Sequence, residues 1–234
     1  MNQLGTNVAN LEIFGSSTTY GIGDPEGGGW ATRLRNTMIG RMEDYDSTGT
    51  NIVYRSDARG VFTHNNAENG MTLHEMAGVL STSFARRNRR GYRGRLLVAA
   101  MVGFSEHVIP TNKLLPVQTL QEFNISLQAF STKLQYSHFN TERLFVGLPL
   151  FDLSRPHPLN PGTFDLDRLV DYEYAVVTHA RETDAHYIPV ADTLRQIPED
   201  TISHDGIHPN SIGHAAIHDI VLSHVDQLLG TREL

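Results

Sequence analysis

Residues 96–104 read LLVAAMVGF, the longest apolar run in the chain. It is far too short to span a bilayer, which takes about 20 apolar residues in a helix. A near-continuous apolar run of this length reads instead as a strand buried on both faces, the mark of a parallel sheet. Three further runs have the same character: Leu11–Phe14, Ile52–Tyr54 and Leu144–Leu150, with a weaker one at Tyr187–Val190. Helix-like stretches separate them. Trp30–Met42 places Trp30, Leu34, Met38 and Met42 four residues apart, Met71–Arg87 carries Leu73, Met76, Leu80 and Phe84, and Val117–Leu134 carries Leu120, Phe123, Leu127 and Leu134. Leu166–Ala180 and Ile212–Leu229 complete the series. Strand and helix alternate throughout, so the expected architecture is α/β: a three-layer α/β/α sandwich on a mostly parallel sheet of about five strands.

The whole chain, residues 1–234, reads as one domain. There is no internal repeat, and the breaker-rich Pro156–Gly162 is followed by more of the same alternation, so it reads as a loop within that domain. Hydrophobic residues make up 39% and charged residues 19%, the balance of an ordinary globular protein. With no cysteine, disulfides, thiolate metal sites and cysteine nucleophiles are excluded. The net charge of −7 argues against broad nucleic-acid binding, which needs a basic face. The basic stretch Arg86–Arg95 reads as a solvated loop beside a helix end, and Met42–Asp46 as a helix end and loop. The opening MNQLGTNVANLEIFG has no basic segment followed by an apolar one, so a cytoplasmic protein without membrane attachment is expected.

In open parallel sheets, chemistry collects at the carboxyl ends of the strands. The first run leads into Phe14-Gly15-Ser16-Ser17-Thr18-Thr19-Tyr20-Gly21. A serine at such a turn lies near backbone N–H groups able to hold an oxyanion, although a polar glycine loop is an equally economical reading. No phosphate-binding loop fits, because no Gly-Lys-Ser/Thr follows and Glu26 stands where a third glycine would be. The glycines Gly21, Gly23 and Gly27–Gly29 read as a flexible rim. Near the other end lies Ser203-His204-Asp205-Gly206-Ile207-His208-Pro209-Asn210. Asp and His three apart on a turn can lie side by side, which fixes the imidazole tautomer and frees its other nitrogen as a base.

Taken together, FGSSTTYGIGDPEGGGW resembles the first block of the SGNH/GDSL hydrolases, roughly Phe-Gly-Asp-Ser-Leu-Thr-x-Gly, and DGIHPNSIGH resembles their last, Asp-Gly-x-His-Pro-Asn-x-x-Gly. The resemblance implies a flavodoxin-like SGNH hydrolase fold and a serine esterase acting on small to medium acyl groups, with no metal or organic cofactor. It implies Ser17 as nucleophile, His208 as general base and Asp205 as its orienting acid. The implied oxyanion donors are the Ser17 N–H, a glycine N–H after the second strand and a side chain after the third. For the glycine, Gly70 in Asn65–Thr72, which leads directly into a helix, is favoured over its competitor Gly60, whose following residues are not helix-like. In the third block Val102-Gly103-Phe104-Ser105-Glu106 stands in place of Gly-x-Asn-Asp, so Ser105 replaces the asparagine and Glu106 the acid. That departure leaves open a catalytically weakened or non-catalytic ligand-binding member of the fold. A third reading, a metal-dependent hydrolase, draws on His214 and His218 and on His204 and His208, each pair four apart, but no Glu follows His214. Tyr20, Phe104 and the Pro156–Gly162 loop are the expected pocket wall.

Overall fold

The computed structural model describes residues 9–45, 52–54, 61–89, 95–106, 118–137, 141–150, 166–197 and 208–230. In chain order the strands and helices are β1 (Ala9–Phe14), α1 (Ser17–Tyr20), α2 (Gly29–Met42), β2 (Glu43–Tyr45), β3 (Ile52–Tyr54), β4 (Val61–Asn65), α3 (Leu73–Arg89) and β5 (Leu96–Ala100). There follow α4 (Leu120–Ser137), β6 (Thr141–Val146), α5 (Leu166–Glu182), β7 (His186–Ile188), α6 (Val190–Leu194) and α7 (Ser211–Gly230). Five strands form one all-parallel sheet in the order β4-β1-β5-β6-β7.

The expected sheet is present with one strand exchanged. Ile52–Tyr54 does not join it but pairs antiparallel with Glu43–Tyr45, a strand where the sequence predicts a helix end and loop. The place beside β1 is filled by Val61–Asn65. This is an edge strand ending in Thr-His-Asn, so it lacks the continuous apolar run that two-sided burial demands. The run at 96–104 is also shorter as a strand, because the chain leaves the sheet after Ala100.

Alternation along β1 and β5 divides the core into two layers. Leu11, Ile13, Leu97 and Ala99 pack with Trp30, Leu34 and Met38 of α2 and with Ile217, Val221 and Val225 of α7. On the other face, Phe14, Leu96, Val98 and Ala100 pack with Leu73, Met76 and Leu80 of α3, Phe123, Leu127 and Phe130 of α4, and Tyr172 and Val176 of α5. Each large side chain so removed from water contributes about 1.5–3 kcal/mol. Among the described residues, no helix is long and apolar enough to cross a membrane.

The handedness of the crossovers explains the layering. From β1 the chain moves outward through α2 to β4, then crosses back over β1 through α3 to β5 and onward. Right-handed connections running in opposite directions must lie on opposite faces of the sheet. The chain therefore leaves the neighbouring strands β1 and β5 toward different faces, and the crevice between their carboxyl ends is the topological switch point. After β7 the chain returns to the α2 face, where α7 packs against α2 and brings the residues just before it to that crevice.

Candidate active site

Ser17 opens α1 directly beyond the switch-point end of β1, buried but for a small exposed fraction. The turn closes through Tyr20 N–H to the Ser16 carbonyl (2.8 Å) and through Gly21 and Ile22 N–H to the Ser17 carbonyl (both 3.0 Å). The N–H groups of a helix's first turn have no intrahelical acceptor, so the Ser17 N–H belongs to a class of donors free for a ligand. Its Oγ lies 2.9 Å from Nε2 of His208, a residue 191 positions later, at a distance where the hydroxyl can donate to a neutral imidazole. The structure thus brings Ser17 and His208 together. Asp205 lies outside the described residues, as do Gly60 and the Pro156–Gly162 loop.

The turn carrying His208 is held by residues whose roles the sequence reading did not identify. Asn210 Oδ1 accepts the N–H groups of Ile212 (2.9 Å) and Gly213 (3.1 Å), capping α7. Asp24, fully buried, accepts N–H from Gly27 and Gly29 (3.1 Å each), the Ser211 hydroxyl (2.6 Å) and Arg33 Nε (2.9 Å). Burial pushes the Asp24 carboxyl up, but the bonds from Arg33, Ser211, Gly27 and Gly29 outweigh that and hold it well below the usual carboxylate range. His214 accepts the Trp30 N–H at Nδ1 (3.2 Å) and donates from Nε2 to the Ile22 carbonyl (2.9 Å), so it is a neutral core residue that ties α7 to the first loop. Both of its nitrogens are engaged, which removes it from the metal reading.

The rim glycines are not a loose hinge. Gly23 sits at φ +92°, and a Cβ there would stand 2.2 Å from the Pro209 carbonyl oxygen, so the first loop is pressed against the His208 turn. Gly21 and Gly29 pack against each other just behind. Asp24 amid glycines was the one local signal of this loop's order, and its far partner Ser211 carries no signature that a linear reading can see.

Loops from the two strands flanking β1 lie beside the Ser17 turn and the His208 ring. Since β4 begins at Val61, its carboxyl-end loop is Asn66–Thr72, and it carries Gly70 at φ +76°. Glu68 N–H donates to the Gly15 carbonyl (3.3 Å), tying this loop to the Ser17 turn. It is anchored from below by Glu12 on β1, whose Oε2 accepts the Asn66 amide (2.7 Å) and the Ser83 hydroxyl (2.6 Å). Directly after Gly70, Thr72 and Glu75 form a reciprocal capping box: Thr72 N–H donates to Glu75 Oε2 (2.8 Å) and Glu75 N–H to Thr72 Oγ1 (3.5 Å). On the other side, Ser105 is half-buried in the loop after β5. Phe104 beside it lies 6.2 Å from the His208 ring, centroid to centroid. Of the expected pocket wall, Phe104 is thus at the site, and Tyr20 is 53% exposed one helical turn from Ser17. A further buried carboxylate, Glu173 on α5, accepts the Leu148 N–H at 3.1 Å and the Tyr187 hydroxyl, fixing the loop after β6.

The sheet order and the helix layers are shared with solved structures of lipases and esterases. A structure from Parabacteroides merdae described as a GDSL-like lipase superposes with a TM-score of 0.67, at 12% identity over 93% of this chain and 95% of that one. The lipase/acylhydrolase from Enterococcus faecalis gives 0.65, at 12% identity over 96% and 99%. Axe2, an acetylxylan esterase from Geobacillus stearothermophilus, gives 0.63, at 15% identity over 92% and 93%. At such identities the likeness is one of fold. No protein-family model matches the sequence, and no curated protein matches it.

Proposed function

We propose that the chain is a serine ester hydrolase acting on carboxylic esters of small to medium acyl groups. The observation that carries this reading is the 2.9 Å approach of Ser17 Oγ to His208 Nε2 across 191 residues of sequence, at the switch point of a parallel sheet. Ser17 Oγ attacks the acyl carbonyl carbon as its proton passes to His208 Nε2. Asp205 holds the imidazole tautomer and stabilises the imidazolium. The N–H groups of Ser17 and Gly70, with the Ser105 hydroxyl, receive the negative charge of the tetrahedral oxygen. His208 returns the proton to the leaving alcohol oxygen as the C–O bond breaks. Water, deprotonated by the same imidazole, then releases the acid and regenerates Ser17. The esterases and acylhydrolases that share the fold support this reaction class, and they include enzymes for both lipid-like and acetylated carbohydrate esters.

Hydrolysis of p-nitrophenyl acetate and butyrate in the presence of EDTA tests the reading. The wild type should turn over, and Ser17→Ala should fall to background, a loss on the order of 10⁴ or more for a nucleophile. A fluorophosphonate should label the wild type and not the variant. If Ser17→Ala matches the wild type on both esters and the probe labels neither, the reading fails and a ligand-binding role on the same fold takes its place.

A further inference from the structure

Glu106 is buried to 3% exposure at the carboxyl end of β5, and no step above uses it. Its oxygens serve different loops. Oε1 accepts the Leu73 N–H at 2.5 Å, and Oε2 accepts the Gly103 N–H at 3.1 Å. Leu73 is the first residue of α3, three after Gly70, and Gly103 lies two before Ser105. The Glu106 carbonyl also accepts the Gln118 N–H (3.2 Å), which ties the residue to the segment entering α4. One carboxylate thus joins the loops that carry both candidate oxyanion donors other than Ser17. Burial pushes its carboxyl pKa up, while the N–H bonds from Leu73 and Gly103 favour the charged form. The N-terminus of α3 adds its dipole on the same side.

We propose that Glu106 is the positioning residue of the oxyanion hole: by accepting from Leu73 and Gly103 at once, it fixes the separation between the Gly70 turn and the Ser105 loop. The inference rests on the esterase reading. Oxyanion donors act only when they lie about 2.7–3.1 Å from the oxygen of the tetrahedral state. A serine hydroxyl reaches less far than a carboxamide, so the Ser105 backbone has to be held close, and the tie to α3 sets that closeness. The carboxylate touches neither substrate nor oxyanion, so its effect falls on the transition state through Gly70 and Ser105.

Glu106→Gln is the test. Its carboxamide keeps one acceptor oxygen and turns an NH2 toward the other N–H, so one loop is released. Removing an oxyanion donor outright costs about 10²–10³ in rate, so displacing one should lower kcat about tenfold or more with KM within about twofold. The Ki of phenylboronic acid, which forms a tetrahedral adduct with the serine oxygen, should rise by the same factor as kcat falls. Simple loss of folded protein would leave KM and Ki untouched. If Glu106→Gln does not fold, Glu106→Asp keeps the charge and both acceptors on a shorter stem and should show the same pattern. A folded variant with kcat and boronate Ki within twofold of wild type overturns the proposal, as does a rise in KM with kcat unchanged. In either case a dead Ser17→Ala leaves the esterase reading standing. A Ser17→Ala variant as active as wild type removes both.

Discussion

Ser105 stands half-buried between Phe104, which approaches His208, and Glu106, which is bound to two backbone N–H groups. Its hydroxyl is the one side-chain donor that the proposed hole has in the third loop. Ser105→Ala keeps the backbone and removes only that donor, so kcat should drop by about 10–10³ with little change in KM. Ser105→Thr retains the hydroxyl and should stay near wild type. Steady-state kinetics on p-nitrophenyl butyrate decide the point: equal kcat for Ala and wild type would mean that backbone N–H groups carry the oxyanion alone. At this scale the sequence was informative where a role rests on a contiguous block. Ser17 and His208 each sit in a short motif with its own spacing, and their proximity follows once the fold is right. Asp24, Glu106 and His214 act through partners tens to nearly two hundred positions away, such as Ser211, Leu73 and Trp30. Buried polar residues of this kind are chosen by the folded surroundings, so a linear reading does not reveal their partners.

The element that sets the Ser17–His208 distance is the loop between α1 and α2 with the start of α7 pressed against it. Gly23 is the point of contact, at φ +92° and with no room for a Cβ before the Pro209 carbonyl. Gly23→Ala would cost about 1–2 kcal/mol for the left-handed backbone alone. The clash must also displace Pro209 and, with it, His208. A shift near 1 Å in a catalytic group can cost about 10²-fold in rate. The variant should therefore lose far more in kcat than its modest drop in Tm suggests, and a kcat within threefold of wild type would show that the loop gives way without moving the imidazole. Elements were legible to the extent that burial imposes a period. The helices α2, α3 and α4 follow their apolar spacing, and β5 follows a continuous apolar run, because a strand in the middle of a covered sheet faces apolar neighbours on both sides. β1 carries Glu12 within its run, and β6 starts at Thr141, before its run, and ends at Val146. The failure at Ile52–Tyr54 against Val61–Asn65 has the converse cause. An edge strand tolerates Thr63, His64 and Asn65, while a short apolar triplet can complete a separate two-stranded ribbon.

Across the whole molecule, the loops on the site face are held by carboxylates sunk below it: Glu12 under the Gly70 loop, Asp24 behind Ser17, Glu106 between the second and third loops, and Glu173 under the loop after β6. Of these, Glu106 and Glu173 are shifted one way and Asp24 the other, so the fold has a pH response of mixed sign. Burial raises the pKa of Glu106 and of Glu173, so each takes up a proton more readily folded than unfolded, and its contribution favours the fold as pH falls. His214 works the other way. Burial lowers its pKa from the ordinary 6.5, and the Trp30 N–H aimed at Nδ1 leaves no place for a second proton. The unfolded chain binds that proton and the folded chain resists it. The stability that neutral His214 contributes is therefore complete above pH about 6.5 and is lost progressively as pH falls below it, by at most about 1.4 kcal/mol per pH unit for one proton. His179, also lowered by burial, adds to the same limb. The net curve sums opposing groups, so the comparison that isolates His214 is with His214→Gln, which does not titrate and can still offer an acceptor and a donor. Urea unfolding at pH 7 and pH 5 should show the variant less stable at pH 7 and the gap closing toward pH 5. A gap of constant size across that range would mean that His214 takes up its proton as readily in the fold as out of it, and that its two hydrogen bonds do not hold it neutral.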